Sequence, residues 1–98
     1  MSGAVRKTER VGPGGSFKKV MSVTVEPGHR LLLTFEGGEL RRFDFKAAIL
    51  DRGPTEFTSP LAVSEVFAKV SIERGNLVWP NGFDLHGDDV YKASVPVH

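Results

Sequence analysis

The strongest constraint on the fold is an alternation of apolar and polar residues in the first half of the chain. Met21, Val23 and Val25 alternate with serine, threonine and glutamate. A period of two places alternate side chains on one face of a β-strand. Two further segments carry apolar residues in a strand-like arrangement: Leu31, Leu33 and Phe35, then Leu40, Phe43 and Phe45. The pattern predicts three strands, each with one buried face.

Glycine and proline separate these segments. Pro27-Gly28 ends the first strand, and Gly37-Gly38 lies between the second and the third. Adjacent glycines supply the positive φ values that tight hairpin turns require. The second and third strands are therefore expected to pair as a hairpin.

The second half of the chain carries shorter signals. Asp44 is positioned to cap a helical turn over residues 46–50, and Ser59-Pro60 favours the start of a second short helix. Residues 61–67 are ambiguous, because residues 66, 68, 70 and 72 alternate like a strand, and the prediction is a short helix followed by a strand. Gly75-Asn76 predicts a turn into a strand that ends at Trp79, and Asp88 is expected to cap a last helix from Asp89 to Ala93.

Together these elements predict an α+β domain with a small, antiparallel-rich sheet of about five strands and two or three short helices. With 98 residues the chain has room for one domain. It has no cysteine, which excludes disulfides, thiolate metal sites and cysteine nucleophiles. No apolar run is long enough to span a bilayer and the N-terminus lacks the apolar core of a signal peptide, so a cytoplasmic location away from membranes is expected.

Positive charge is concentrated at the N-terminus. Residues 1–16 contain Gly-Pro-Gly-Gly and no periodicity, which predicts a disordered basic leader before a domain at 17–98. The cations there and just after it are candidate nucleic-acid contacts: Arg6, Lys7, Arg10, Lys18 and Lys19. The simpler interpretation is a solubilising tail, because five cations without interleaved aromatic residues are few for a nucleic-acid surface.

The segment with the only tryptophan admits two interpretations, a pocket or a structural corner. The corner residues are Trp79, Pro80, Asn81, Gly82 and Asp84. Proline followed by asparagine and glycine suits a tight turn, and Trp79 is expected to pack with Phe83 and Tyr91 over one end of the sheet. The corner is favoured. An open polar hollow lined by both Trp79 and Asp84 would contradict it.

Titratable residues offer weak candidates for chemistry. Asp44 and Asp84 have apolar neighbours, and a close pair of carboxylates can divide acid and base roles. Each is equally suited to accepting backbone N–H bonds, which is the favoured interpretation. His86, Asp88 and Asp89 match no specific metal-ligand spacing. No catalytic residue, metal site or cofactor is therefore predicted.

Several strings in order resemble the bacterial domain-of-unknown-function family numbered 2442. They are Val23–Pro27, Leu31–Glu39, Arg42–Asp44, Val66–Val70 and, most specifically, Trp79–Leu85. The likeness covers about residues 18 to 93. It implies a small α+β domain without an established biochemical role, in a family whose members often lie beside a second small domain in a toxin–antitoxin-like arrangement.

Three functions follow as expectations. The first is a non-catalytic protein-interaction module, the antitoxin-like or regulatory half of a two-protein unit or a homodimer, which uses the exposed edge of the first strand, Val20–Glu26. The second is an accessory protein that binds nucleic acid through the basic arm. The third is a small enzyme that uses Asp44 and Asp84.

Overall fold

The computed structural model describes residues 17–97. This part of the chain has seven strands and three α-helices. They are β1 (Val20–Glu26), β2 (Arg30–Phe35), β3 (Leu40–Asp44), α1 (Phe45–Ala48), α2 (Ser64–Phe67), β4 (Ser71–Glu73), β5 (Asn76–Val78), β6 (Asp84–Leu85), α3 (Gly87–Ala93) and β7 (Val95–Pro96), with 3-10 turns at Leu50–Arg52 and Ser59–Ala62 between α1 and α2. The α+β class is confirmed. The proposed leader, residues 1–16, lies outside the described residues.

The larger sheet is antiparallel and has the strand order β1-β2-β3-β7. Register pairs Val25 with Leu31 and Leu31 with Phe43, so the apolar residues of three strands share one face. The hairpin between β2 and β3 is confirmed. Gly37 and Gly38 both have positive φ, at 97° and 96°, a backbone region that residues with a Cβ rarely adopt.

The smaller sheet is also antiparallel, with the order β4-β5-β6. The turn from β4 to β5 consists of Arg74 and Gly75, both at positive φ, one residue earlier than the predicted Gly75-Asn76. Asn76 instead begins β5, and its Oδ1 accepts the N–H of Gly87 at 2.9 Å. There are seven strands in two sheets rather than about five in one, because β6 and β7 have two residues each, too few to produce an alternating pattern.

One apolar cluster joins both sheets and the helices. Phe45 lies at its centre, with its ring centroid 4.9 Å from that of Phe67 and 5.4 Å from that of Trp79. The remaining fully or almost fully buried apolar residues come from the strands, the second 3-10 turn and α3: Val20, Leu31, Leu33, Phe35, Phe43, Leu61, Leu77 and Val90. Burial of this surface is the main source of stability for a domain without disulfides.

The predicted order of a short helix followed by a strand is confirmed, although the strand-like alternation starts already at residue 66. Val66 and Phe67 belong to α2, and the strand begins only at Ser71. The apolar residues at 63, 66, 67 and 70 also recur with helical spacing, and the burial of Phe67 against Phe45 decides between the two periods.

The predicted cap of the last helix is also wrong. His86 is the N-cap of α3, and its Nδ1 accepts the N–H of Asp88 at 3.2 Å. Asp88 instead accepts the N–H of Lys18 at 2.7 Å. The start of α3 is pressed against other backbone, since a Cβ on Gly87 would lie 2.8 Å from the carbonyl oxygen of Gly75 and closer still to that of Lys18.

No helix among residues 17–97 combines the length and the apolar character that a bilayer crossing needs.

Candidate functional site

Residues 79–83 reverse the chain between β5 and β6. The N–H of Trp79 donates to the carbonyl oxygen of Phe83 at 2.9 Å, and that of Gly82 donates to Trp79 at 3.0 Å. Gly82 has a φ of 96°, and Asn81 links the turn to its surroundings through a 2.9 Å bond from Nδ2 to the carbonyl oxygen of Phe57. The turn is therefore held by backbone hydrogen bonds within it and by a side-chain hydrogen bond to the segment that contains Phe57.

Trp79 is 3% exposed, and its indole N–H donates to the carbonyl oxygen of Phe67 at 2.9 Å. Its ring contacts those of Phe45, Phe67 and Phe83, at centroid distances of 5.4, 6.1 and 5.6 Å. We call these four residues the aromatic corner. The predicted contact with Tyr91 is wrong, because Tyr91 packs against Phe35 at 5.0 Å, on the larger sheet.

An open hollow of about 330 Å³ lies beside this turn. Its lining includes Ser71, Glu73 and Asp84 as well as part of Trp79 and Phe83. The turn thus forms part of the wall of a hollow in addition to packing the core, and the structural-corner interpretation stays a prediction. Trp79 contributes little surface to this hollow, since its indole is buried and its only donor is already bonded to Phe67.

The two candidate carboxylates lie in different sheets. Asp44 ends β3 and accepts the N–H of Ala47 at 3.1 Å, so its predicted capping role is confirmed. Asp84 is exposed in β6 and borders the hollow. The side-chain acceptor in the turn before it is Asn81, whose Oδ1 accepts the N–H of Phe83 at 3.2 Å. The structure records no interaction that joins Asp44 to Asp84.

The histidine and acidic residues near α3 have structural partners. His86 caps the helix and its ring contacts Phe17 at 4.6 Å, while Asp88 binds the backbone of Lys18. Across residues 17–97 there is no group of three or more histidine, aspartate or glutamate side chains arranged to hold a metal ion.

Of the basic candidates, Arg6, Lys7 and Arg10 lie outside the described residues. Lys18 is exposed, with Nζ 4.8 Å from the centre of the Tyr91 ring. Lys19 is 8% exposed and lies beside Gly75, where a Cβ would come within 2.7 Å of the Lys19 side chain. Lys18 therefore offers more surface to an anion than Lys19. Nucleic-acid binding stays a prediction.

Arg41 ties the larger sheet to the end of α3. Its guanidinium donates to the carbonyl oxygens of Tyr91 and Ser94, at 3.2 and 2.7 Å, and a cation there complements the negative end of the helix dipole. Glu39 accepts from the Tyr91 hydroxyl at 2.6 Å and from Arg41 at 2.8 Å. The Tyr91 hydroxyl, more than Arg41, lowers the pKa of Glu39, and Glu39 in turn raises the pKa of Tyr91.

A second ion pair lies on the solvent face of the larger sheet. Arg42 forms two hydrogen bonds with Glu26, at 2.7 and 3.2 Å. This bidentate contact lowers the pKa of Glu26 and raises that of Arg42. It fixes the C-terminal end of β1 against β3 across the intervening strand.

The edges of the two sheets differ sharply in length. The edge strands β4, β6 and β7 have three, two and two residues, and β7 contains Pro96. In the described residues β1, with seven, is the one edge strand longer than three. Short strands and proline are common protections against unwanted pairing at an edge, and β1 has neither.

The hydrogen-bonding direction of β1 follows from its partner. The N–H of Phe35 donates toward β3, to Glu39, and the N–H of Glu36 donates toward β1, to Lys19. Hydrogen-bonded and non-hydrogen-bonded pairs alternate along an antiparallel ladder. The pairs that bond to β2 are therefore Ser22 with Thr34, Thr24 with Leu32 and Glu26 with Arg30, while Val23 and Val25 direct their N–H and C=O groups outward.

The open part of β1 is bounded at both ends. Val20 donates its N–H to Gly75 at 2.9 Å, and Pro27 has no N–H. A register shift, typical of a β-bulge, makes Met21 an extra residue between Val20 and Ser22. We call residues 21–25 the free edge. Met21 is 55% exposed and Val25 38% exposed, so the free edge carries apolar side chains as well as unpaired backbone groups.

In a comparison with protein families, residues 20–96 match the model described as "Protein of unknown function (DUF2442)". The resemblance inferred from the sequence strings is thereby confirmed. No curated protein and no solved structure matches the chain.

Proposed function

The chain belongs to the DUF2442 family, and from its geometry we propose that it is a non-catalytic protein-interaction module that binds a protein partner by adding a strand at the free edge. In this mode a partner strand pairs with the outward backbone groups of β1, and side-chain contacts supply specificity. The antitoxin-like or regulatory role in a two-protein unit is part of the same proposal.

The observation that carries the proposal is the difference between β1 and the other sheet edges. Unpaired edges promote aggregation, so soluble proteins keep them short or block them. The free edge keeps outward N–H groups at Val23 and Val25 beside exposed Met21. A binding role accounts for an edge strand that is long and has a bulge only at its N-terminal end, while the other three are short.

The exposed side chains of the free edge suit strand addition. Val25 lies toward the apolar face of the sheet, because it pairs with Leu31 there, whereas Ser22 and Thr24 are exposed on the opposite face. A partner strand with apolar residues on one face and small hydroxyl residues on the other would match both.

The proposal is tested by expressing the chain together with the product of the adjacent gene in its host. We expect a complex on size-exclusion chromatography and slowed amide exchange at Val23 and Val25, whose N–H groups point outward. Ser22 and Thr24 already bond to β2, so their exchange should change little on binding.

A proline substitution separates strand addition from other contacts. Val25→Pro removes an outward N–H at an edge position where proline is tolerated, and it should abolish the complex while the domain stays folded. Val25→Thr keeps the N–H and the strand propensity and should keep the complex. A complex that survives Val25→Pro unchanged, or no complex with that neighbour, would contradict the proposal.

A further inference from the structure

The outer face of the smaller sheet is a second surface of the molecule and includes no residue of the free edge. Register pairs Ser71 with Val78 and Val78 with Asp84, so these three side chains share one face. The opposite face carries Leu77, which is fully buried in the core. All three residues of the outer face line the open hollow of about 330 Å³, so the hollow lies on this face.

The hollow combines negative charge with an apolar wall. Glu73 and Asp84 are its two charged lining residues, and both are exposed. Val78, Pro80 and Phe83 add apolar surface. Lysine and arginine side chains lay their methylene stems along apolar surface and hydrogen-bond to carboxylates through the cationic head. The hollow therefore suits the side chain of a lysine or an arginine.

The negative charge of the hollow has no partner in the described part of the chain. Within residues 17–97 the ion pairs use Glu26, Glu39 and Asp51, and neither Glu73 nor Asp84 forms one. Among the same described residues, none that lines the hollow is basic. The fold thus leaves both carboxylates open to a cation from outside the hollow.

We infer that the hollow binds the basic side chains of residues 1–16 of the same chain. That segment contains Arg6, Lys7 and Arg10 against one acidic residue, Glu9. Its net charge is opposite to that of the hollow, which attracts it. The bound segment covers the outer face of the smaller sheet and leaves the free edge available to a partner strand.

The described chain begins close to the hollow. The ring of Phe17 contacts that of His86 at 4.6 Å, and His86 follows Asp84 by two residues. The seven residues from Phe17 back to Arg10 span up to about 23 Å when extended. The strands β4 and β5, with three residues each, are about 10 Å long. Arg10 is therefore within reach of the whole hollow.

Covalent attachment selects this segment over a separate basic peptide. Exposed ion pairs are individually weak, so two exposed carboxylates hold a free peptide poorly. A segment joined to the domain by a short linker has an effective concentration of about millimolar, whatever the concentration of the protein. The same weak contacts therefore hold residues 1–16 more readily than they hold a dilute partner.

A spin label on the full chain tests the contact, because the chain has no cysteine of its own. In Thr8→Cys carrying a nitroxide, the amide signals of Ser71 and Val78 should broaden. Glu73→Gln/Asp84→Asn should reduce this broadening about twofold or more, to the level of a tethered but unbound segment. Equal broadening with and without the two carboxylates would overturn the inference.

Charge reversal separates binding from damage to the fold. Glu73→Lys/Asp84→Lys should reduce the broadening in the same way, since both positions are exposed and the fold should survive. The broadening should return when these two substitutions are combined with Arg6→Glu/Lys7→Glu/Arg10→Glu. A combined variant that shows no more broadening than either half alone would also overturn the inference.

Two controls identify the source of the bound segment. Glu65→Gln removes an exposed carboxylate outside the hollow and should leave the broadening unchanged. Spin-labelled chain mixed with isotopically labelled, cysteine-free chain reports contacts between copies and should show no broadening at the hollow. Broadening in the mixture as strong as within one chain would show that a second copy supplies the segment. Either failure leaves the proposed function intact, because the neighbour complex is measured separately.

Discussion

The aromatic corner and the free edge differ in whether their hydrogen-bonding groups have partners. In the aromatic corner the indole N–H of Trp79 is bonded to Phe67 although the side chain is almost completely buried. In the free edge, Val23 and Val25 leave backbone groups unpaired and Met21 is more than half exposed. The first region holds the fold together, and the second leaves backbone groups that the fold itself does not use.

The contrast predicts that stability and association are controlled by different residues. Substitutions in the aromatic corner should lower the free energy of unfolding without a direct effect on pairing. Substitutions that alter only the outward side of β1 should abolish pairing with little effect on unfolding.

The largest expected effect is that of Trp79→Ala. Removing a buried aromatic side chain typically costs about 3 to 5 kcal/mol, a large part of the free energy of unfolding of a small domain. Urea unfolding should show this loss, and Trp79→Phe, which keeps a ring but loses the bond to Phe67, should lose less. An unchanged urea midpoint in Trp79→Ala would break the distinction between the two regions.

The next largest effect compares two proline substitutions in β1, one at an inward N–H and one at an outward N–H. Thr24→Pro removes an N–H that bonds to β2 and should cost about 2 to 3 kcal/mol, whereas Val25→Pro removes an outward N–H and should cost about 1 kcal/mol or less. Urea unfolding of the two variants compares them directly. Equal losses would show that the inward and outward assignment of β1 is wrong.

The smallest expected effect is on how thermal stability changes at acidic pH. The pKa values of Glu26 and Glu39 are lowered from their ordinary value of 4.5 by Arg42 and by Tyr91 with Arg41, respectively. A carboxylate with a lowered folded-state pKa stabilises the fold above its ordinary value, and that contribution is lost as the pH falls through the lower, folded value. Thermal unfolding temperatures should therefore fall as the pH drops below 4.5.

Glu39→Gln should make that acid dependence shallower, while Glu65→Gln, at an exposed position in α2, serves as the control. Melting curves of the three proteins between about pH 6 and about pH 3 make the comparison. An acid response in Glu39→Gln as steep as that of the unmodified chain would show that Glu39 does not contribute to it.

Much of the larger sheet was predictable because its signals are local. The alternation at Met21, Val23 and Val25 and the paired glycines at 37 and 38 specify strands and a turn without reference to the rest of the chain. The cap at Asp44 is likewise a contact over three residues. The role of residues 66–70 was not predictable in the same way, since their apolar spacing fits both a helix and a strand, and packing of Phe67 against Phe45 decides the outcome.

The same distinction between local signals and tertiary contacts applies to the candidate site. The sequence named β1 as a possible edge and residues 79–82 as a turn, because propensity and periodicity are properties of short segments. Only the tertiary structure decided that β1 lies at an edge, that Gly75 and Pro27 bound its open part, and that Tyr91 packs on the larger sheet rather than on Trp79. These facts depend on contacts between distant residues, whose energies arise from packing and pairing that no single segment encodes.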